Sequence, residues 1–326
     1  MYKANHIRII MKNIMNKKFL AFTLIELLVV IAIIGILSAL IIVGMSSATE
    51  KANIAKGQAF SNSLRNSVLD NLLAEWKFSE GAGAMIADSW QSTYNGILTC
   101  NGASCWKSGS NCMEGACLYF NVGDGNDVVT VTSAPGLNAA TQTIEAWICP
   151  NTWNSDTGSV FGRRSGGSSQ DWYLLFYGGG GGATANVIFS YIEYTNTSGV
   201  DTGYAYPYFG PIQMNKWYHV AIVLTADGKA SMYINGTSRA TSLSTVANFS
   251  HWGRLDAMTS IINLRIGDAM YSTIDGVRFY TKAAPLSQIQ QNYFAGLNKL
   301  LANGGIEQEE YQKRTAELNN NLAKIN

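Results

Sequence analysis

The chain has 326 residues, which is enough for one large domain or two small ones. Its 32 glycines, 16 tyrosines and 8 tryptophans, against 5 prolines, favour β structure with tight turns over most of its length. The formal net charge of +1 gives no indication of a nucleic-acid partner, so that class of function is set aside.

The first predicted element is an apolar run, Phe22–Val43, in which Glu26 is the one charged residue. Its length reaches the roughly 20 residues that span a bilayer. Lys and Arg, but no acidic residue, precede it, which predicts a single membrane pass with a cytoplasmic N-terminus. A carboxylate in such a helix costs on the order of 3 kcal/mol in lipid, so Glu26 is predicted to have a function and a cationic partner.

The segment Lys17–Glu26, with the sequence KKFLAFTLIE, resembles the class III signal of type IV pilins and pseudopilins. The resemblance implies that a prepilin peptidase cuts between Ala21 and Phe22 and that Phe22 is then N-methylated. The new amine would be the partner of Glu26. The chain departs from the pattern in having Ala21 where the family has glycine, and in lacking the proline that kinks many pilin helices. A plain signal anchor is the alternative.

The helix is expected to continue as a stem to about Glu75, because Ser46–Ala74 contains no proline and has an apolar stripe at helical spacing. Nothing in a monomer covers so long a helix, so its burial is expected against other copies. Residues 1–21 are thus interpreted as a leader and 22–75 as a transmembrane and stem helix.

From Trp76 onward, short alternating runs separated by glycine-rich turns predict an antiparallel β-sandwich over 76–282. The predicted strand runs are Leu118–Phe120, Asp127–Val131, Thr143–Ile148, Trp172–Tyr177, Asn186–Glu193, Trp217–Leu224, Ala230–Ile234, Ile262–Ile266 and Ile274–Tyr280.

Six segments in this region resemble, in the right order, the laminin-G-like and concanavalin A-like lectin/glucanase domains. The segments are Trp76–Gly83 (WKFSEGAG), Phe120–Asp127 (FNVGDGND), Thr143–Ile148 (TIEAWI), Trp217–Ala221 (WYHVA), Met232–Gly236 (MYING) and Ile274–Tyr280 (IDGVRFY). The resemblance implies a jelly-roll sandwich. Residues 283–326 are predicted to form a short helical hairpin that is an exposed appendage, and the fold class is α+β.

Four cysteines are clustered in the spacing C-x4-C-x6-C-x4-C. In a domain exported beyond a membrane, disulfides are the expected state, and the local pairs Cys100–Cys105 and Cys112–Cys117 are preferred although connectivity cannot be deduced. Zinc is the alternative, but paired thiolate ligands usually have two to four residues between them. Cys149 is expected to be buried in a strand.

Calcium is the cofactor that the sandwich resemblance implies, since such domains hold the ion with carboxylates and carbonyls. Asp88, Asn95 and Asp275 are the candidate ligands, with Asp124 and Asp127 as a second option. The alternative is that these are ordinary turn residues.

Aromatic residues predicted to be exposed are candidates for binding glycans or surface proteins, because aromatic faces stack on sugars and proteins alike. They are Trp153, Tyr204, Tyr206, Tyr208 and Trp252. No enzyme activity is expected, since the strings around Glu145 and Glu193 lack the further acids of the glucanase motif E-x-D-x-x-E.

The sequence therefore predicts a pilin-like or pseudopilin-like subunit of a type IV pilus or a type II secretion-like filament. Its expected partners are other such subunits, the prepilin peptidase and the membrane, and its expected location is the cytoplasmic membrane and then a cell-surface filament. The second interpretation is a membrane-tethered carbohydrate-binding protein that does not assemble. A glycoside hydrolase is the third.

Overall fold

The chain divides into two compact units, Met1–Lys56 and Gly57–Asn326. The computed structural model describes residues 24–36, 71–102, 104–121, 127–132, 141–152, 158–165, 170–178, 187–192, 194–198, 201–202, 208–238, 249–252 and 262–323.

The first unit contributes one described helix, α1, at residues 24–36. Its sequence is apolar apart from Glu26, and its large apolar side chains are exposed, Leu24 by 84% and Ile36 by 64%. The described residues contain no helix that is both long and apolar enough to cross a membrane. Ala21 and Phe22, at the predicted cleavage site, lie outside the described residues.

The second unit is an antiparallel β-sandwich with a helical pair, as predicted. Its strands are β1 Leu72–Trp76, β2 Met85–Ile86, β3 Gly96–Thr99, β4 Trp106–Ser108, β5 Ala116–Phe120, β6 Val128–Val131, β7 Gln142–Pro150, β8 Gly158–Ser165, β9 Gln170–Gly178, β10 Val187–Tyr191, β11 Tyr194–Asn196, β12 Asp201–Thr202, β13 Tyr208–Phe209, β14 Tyr218–Leu224, β15 Ala230–Ile234, β16 Thr237–Ser238, β17 Phe249–Trp252, β18 Ile262–Asp268 and β19 Ser272–Tyr280. Its helices are α2 Leu286–Ala302 and α3 Gln308–Ala323, besides a short 3-10 helix at Gly109–Asn111. Each of the nine predicted strand runs overlaps a strand.

The described strands form two large sheets and a small one. Sheet A has the order β16-β15-β14-β7-β19-β5-β4, with β1 also paired to β19, and sheet B has the order β13-β10-β9-β8-β18-β6-β3-β2. Strands β12, β11 and β17 form the small sheet. Within sheet A, β5 pairs with the first half of β19, β1 pairs with its second half, and β7 pairs with it on the other side, so β19 joins three strands.

The main core lies between sheets A and B. Side chains that alternate along the strands meet there, and Phe161 of β8 stacks with Phe279 of β19 at 6.3 Å between ring centroids. Trp76, Phe78 and Phe120 are fully buried in the same core. The period-2 alternation that predicted the strands thus places the large apolar residues on the inner faces.

A second core lies between the outer face of sheet A and the helical pair. Trp147 of β7 stacks on Tyr293 of α2 at 5.6 Å, and Leu297 and Leu300 of the same helix are fully buried. The prediction that the tail is an exposed appendage is therefore wrong. The leucines seen in the sequence form an apolar stripe that needs a partner surface, and sheet A provides it.

The prediction that the stem helix reaches about Glu75 is wrong at its end, because Leu72–Trp76 is strand β1 rather than helix. Residues 37–70 of the predicted stem lie outside the described residues. Ala74 and Trp76 are fully buried in the main core, and Glu75 between them lies opposite Arg278 of β19. Pairing with β19 and burial of alternate side chains outweigh the helical spacing that included Leu72.

Candidate functional site

The loop between β2 and β3 is organised by the carboxylate of Asp88, one of the predicted calcium ligands. This side chain is buried, and its Oδ1 accepts hydrogen bonds from the backbone N–H groups of Glu75 (3.1 Å) and Trp90 (3.0 Å). Its Oδ2 accepts one from Tyr94 N–H at 3.3 Å. Asn95, the second predicted ligand, is brought close, since its Oδ1 accepts from Asp88 N–H at 2.8 Å. A calcium ion here would compete with three backbone amides for Asp88.

Asp275, the third predicted ligand, lies elsewhere, at an irregularity in β19. The register between β19 and β7 shifts after Asp275, and Gly276 has a φ of +58°, which favours glycine. The Asp275 carboxylate is 1% exposed, and its Oδ2 accepts a hydrogen bond from Met113 N–H at 2.9 Å. Burial raises the pKa of Asp275 to about 7, against the lowering effect of the backbone N–H groups of Met113 and Glu114.

Asp275 borders a cavity of about 250 Å³ that opens where β1 and β5 meet β19. Its lining residues are Glu75, Lys77, Ser79, Met113, Glu114, Gly115, Asp275, Gly276, Arg278 and Lys299. Two ion pairs occupy its rim, Lys77 with Glu75 at 3.4 Å and Lys299 with Glu114. The charges are therefore mixed, and they do not form a dedicated carboxylate cage.

A row of three charged side chains, Glu75, Arg278 and Glu145, lies next to the cavity and was not predicted from the sequence. Arg278 Nε donates to Glu75 Oε1 at 2.7 Å, and Arg278 Nη1 donates to Glu145 Oε1 at 3.2 Å. Burial disfavours the charges of both carboxylates, but the surrounding partners outweigh it and lower the pKa of Glu75 and of Glu145 to about 2. The available signal was Glu145, the one charged residue of strand β7, because a charged side chain in a buried strand requires a partner.

The predicted disulfide pairs Cys100–Cys105 and Cys112–Cys117 are both present. Cys100, Cys105 and Asp127 lie close enough together to resemble a metal site, but the two sulfurs are bonded to each other and are not thiolate ligands. Cys149 is a buried free cysteine in β7, as expected.

Of the two residues in the second calcium option, only Asp127 lies among the described residues. The Asp127 carboxylate accepts hydrogen bonds from the backbone N–H groups of Asn101 (2.8 Å) and Asn121 (3.2 Å), and Asp124 lies outside the described residues. Of the aromatic candidates, Tyr208 lies on β13 and Trp252 on β17. The other three, Trp153, Tyr204 and Tyr206, also lie outside the described residues.

Glu26, the last predicted processing residue, lies on the exposed helix α1. The chain thus has a short apolar helix with one acid in its first unit and a disulfide-containing, two-sheet jelly-roll-type sandwich in its second. These features define an N-terminal helix followed by a β-sandwich head.

Family comparisons agree with this description, both for the N-terminal helix and for the β-sandwich. A model of the concanavalin A-like lectin/glucanases superfamily matches residues 123–290, just over half of the chain, and the chain belongs to that superfamily. A model of the prokaryotic N-terminal methylation motif matches residues 16–42. The chain therefore joins a pilin-like N-terminal motif to a lectin/glucanase-like β-sandwich.

Similar solved structures share little sequence with the chain. A Trypanosoma rangeli sialidase in complex with sialic acid is 15% identical with a TM-score of 0.48, over 69% of this chain and 33% of the sialidase. The binding domain of botulinum neurotoxin serotype D is 15% identical with a TM-score of 0.48, over 71% and 53%. Domain 4 of AbnA, a GH43 extracellular arabinanase from Geobacillus stearothermophilus, is 18% identical with a TM-score of 0.46, over 68% and 97%. The chain spans about a third of the sialidase's length.

Proposed function

We propose that the chain is a subunit of a type IV pilus or of a type II secretion-like pseudopilus that displays its sandwich for adhesion. The observation that carries the proposal is the methylation motif at residues 16–42 in the same chain as a concanavalin A-like head. The exposed apolar side chains of α1 support it, since such a surface is normally covered by lipid or by neighbouring helices.

The proposed assembly begins with cleavage by a prepilin peptidase between Ala21 and Phe22, followed by N-methylation of Phe22. The amine so formed carries the positive charge that Glu26, one helical turn away, needs in an apolar environment. Pairing with the amine of a neighbouring subunit would set the axial position of one subunit against the next. The partners are other pilin or pseudopilin subunits, through their N-terminal helices.

The head is proposed to lie beyond the cytoplasmic membrane, with the N-terminus on the cytoplasmic side until assembly into a surface filament. The two disulfides support this location, because disulfides persist in oxidising compartments. The basic residues before the apolar run support the same orientation.

The ligand of the head is proposed to be a glycan or a surface protein. Helices α2 and α3 cover the outer face of sheet A, so a ligand would approach another part of the head. Tyr208 is on edge strand β13 of sheet B and Trp252 is in the small sheet, both outside sheet A. Together with Trp153, Tyr204 and Tyr206 they are the proposed contact residues.

The experiment that tests the function compares three chains in a host with an active pilus system. They are the wild type, Glu26→Leu and the control Ser38→Leu, which also makes a polar residue of the apolar run apolar. Mass spectrometry should find N-methylated Phe22 as the mature terminus of all three. The filaments released by shear should contain the wild type and Ser38→Leu but not Glu26→Leu, which should stay in the membrane.

Other results favour the alternatives. An uncut terminus, together with absence of all three chains from filaments, would indicate a membrane-tethered carbohydrate-binding protein that does not assemble. Equal incorporation of Glu26→Leu would exclude the role of Glu26 in alignment. Release of reducing sugar from a glycan by the purified chain would indicate a glycoside hydrolase.

A further inference from the structure

Strand β1 is the first described element of the second unit, and its backbone attachment to the head is short. It has five residues, and its register with β19 shifts between Leu72 and Ala74. The described pairings join it to β19 alone. Such a ladder contributes few backbone hydrogen bonds, so side chains must carry a large share of the attachment.

Three charged side chains extend this attachment across sheet A in one row. Glu75 lies opposite Arg278 on β19, and Arg278 lies opposite Glu145 on β7. The guanidinium bridges the two carboxylates, at 2.7 Å from Glu75 Oε1 and 3.2 Å from Glu145 Oε1. Because a guanidinium is planar with donors in fixed directions, its position is set by both carboxylates together.

The row continues from Glu145 into helix α2. Asn292 Nδ2 donates to Glu145 Oε1 at 2.8 Å, and the hydroxyl of Tyr280 donates to the same oxygen at 3.0 Å. His219 Nε2 lies 3.3 Å from the other oxygen, Oε2. One buried carboxylate therefore holds groups from β19, β14 and α2.

Burial makes the members of this row depend on one another. The Glu145 side chain is 1% exposed and that of Glu75 is 9% exposed. Removing Glu75 takes away the acceptor of Arg278 Nε and leaves the guanidinium with Glu145 as its carboxylate partner in the row, so the position of the guanidinium against Glu145 should change. The loss of Glu75 should therefore be felt at Glu145 and at Asn292, which Glu75 does not contact in the described network.

We propose that the row Glu75–Arg278–Glu145 is a mechanical junction that couples β1 to helix α2, so that loosening either element loosens the other. The coupling is a property of the head. A role of this junction under tension in a filament rests on the proposed function, because an assembled stem would pull on the N-terminal side of β1. The test measures the coupling on the unassembled chain, so its failure is distinct from failure of the filament proposal.

The test is hydrogen exchange, followed by mass spectrometry, on the full chain in detergent micelles. Glu75→Gln should raise the exchange of α2 amides at least threefold, although position 75 is on β1. Asn292→Ala should raise the exchange of β1 amides by a similar factor, because coupling between two sites is reciprocal. The control is Asp227→Asn, which removes the exposed ion pair with Lys229 and should leave both segments unchanged.

The proposal is overturned if Glu75→Gln raises exchange in β1 alone, or if Asn292→Ala raises it in α2 alone. Asn292 is half-buried, so Asn292→Ala is expected to fold. If Glu75→Gln does not fold, the hydrogen exchange of β1 amides in Asn292→Ala tests the proposal alone, and unchanged exchange there would overturn it. In the double variant, a change in the unfolding equilibrium constant equal to the product of the two single changes would also overturn it.

Discussion

Gly296 of helix α2 lies against the indole of Trp147 on β7, so closely that a Cβ at position 296 would come within 2.5 Å of the indole Nε1. The same indole stacks on Tyr293, one turn earlier in the helix. The absence of a side chain at this one position therefore allows the helix to lie directly on sheet A.

The first prediction is that Gly296→Ala destabilises the head. In an exposed helix this change would stabilise by about 1 kcal/mol through helix propensity. Here the added methyl group must displace an indole in a packed core, which costs about 1–3 kcal/mol. Thermal unfolding of the full chain should show a lower melting temperature for the head. The control Gly35→Ala, where a Cβ would meet nothing within 4 Å, should leave it unchanged.

The second prediction compares the two disulfides, which both link cysteines five residues apart. Replacing either pair by serines should destabilise the head by about 2 kcal/mol, from the chain-entropy model for a short loop. Only the pair Cys112–Cys117 lies beside the α2–α3 turn, where Asn303 Nδ2 donates to the carbonyl oxygens of Gly109 (2.8 Å) and Cys112 (3.1 Å).

Limited proteolysis should distinguish these two serine variants. Removal of Cys112–Cys117 should speed cleavage at the α2–α3 turn, because the loop that accepts from Asn303 is no longer closed. Removal of Cys100–Cys105 should not. Equal cleavage in both variants would contradict this link between the disulfide loop and the helical pair.

The third prediction concerns pH and Asp275, whose pKa is about 7 in the folded state against an ordinary value of 3.8. Between these values the folded chain binds more protons than the unfolded chain, so this residue lowers the free energy of unfolding as pH rises from about 4 to 7. Asp275→Asn keeps an acceptor for Met113 N–H and cannot ionise.

The variant Asp275→Asn should therefore gain stability over the wild type at pH 8, on the order of 4 kcal/mol, and gain little at pH 4. Chemical denaturation at the two pH values measures the difference. Asp227→Asn, at an exposed carboxylate, is the control and should show no such gain. An equal effect of Asp275→Asn at both pH values would mean that the carboxyl group does not titrate in this range.

The fourth prediction tests calcium, which is proposed to bind at Asp88 and Asn95, because Asp275, the third expected ligand, lies elsewhere, at the irregularity of β19. A ligand that binds only the folded state stabilises it by mass action, by about 2.7 kcal/mol at 100 times its Kd. Millimolar calcium should then raise the melting temperature of the wild-type head, and Asp88→Asn should abolish the rise. Asp275→Asn should show the same rise as the wild type, and no rise in the wild type would reject the proposal.

The strands could be predicted from the sequence because each is coded locally, by alternate residues that face the core between the sheets. Thr143–Ile148 is an example, in which Ile144 and Ala146 are fully buried on one face. Strand β1 was wrongly predicted as helix because Leu72 fits a helical stripe as well as a strand. Only its pairing with Tyr280, far along the chain, decides between the two.

The candidate site was less predictable, because its members come from distant parts of the chain. Cys100–Cys105 and Cys112–Cys117 are local pairs and were found. The row Glu75–Arg278–Glu145 was not predicted, because a charged residue in a strand does not indicate which distant residue will pair with it. Asp88 was predicted as a calcium ligand, and its described contacts are with backbone amides of its own loop and of β1, which spacing alone does not indicate.

The pairing of β1 with β19 has a consequence for the order of events during synthesis. Glu75 and Arg278 are 203 residues apart, so the first strand of the head leaves the ribosome long before its partner exists. At about 5–20 residues per second this interval is roughly 10–40 s. Sheet A cannot be completed until β19 has been made, so β1 remains without its described partner strand for the whole of this interval.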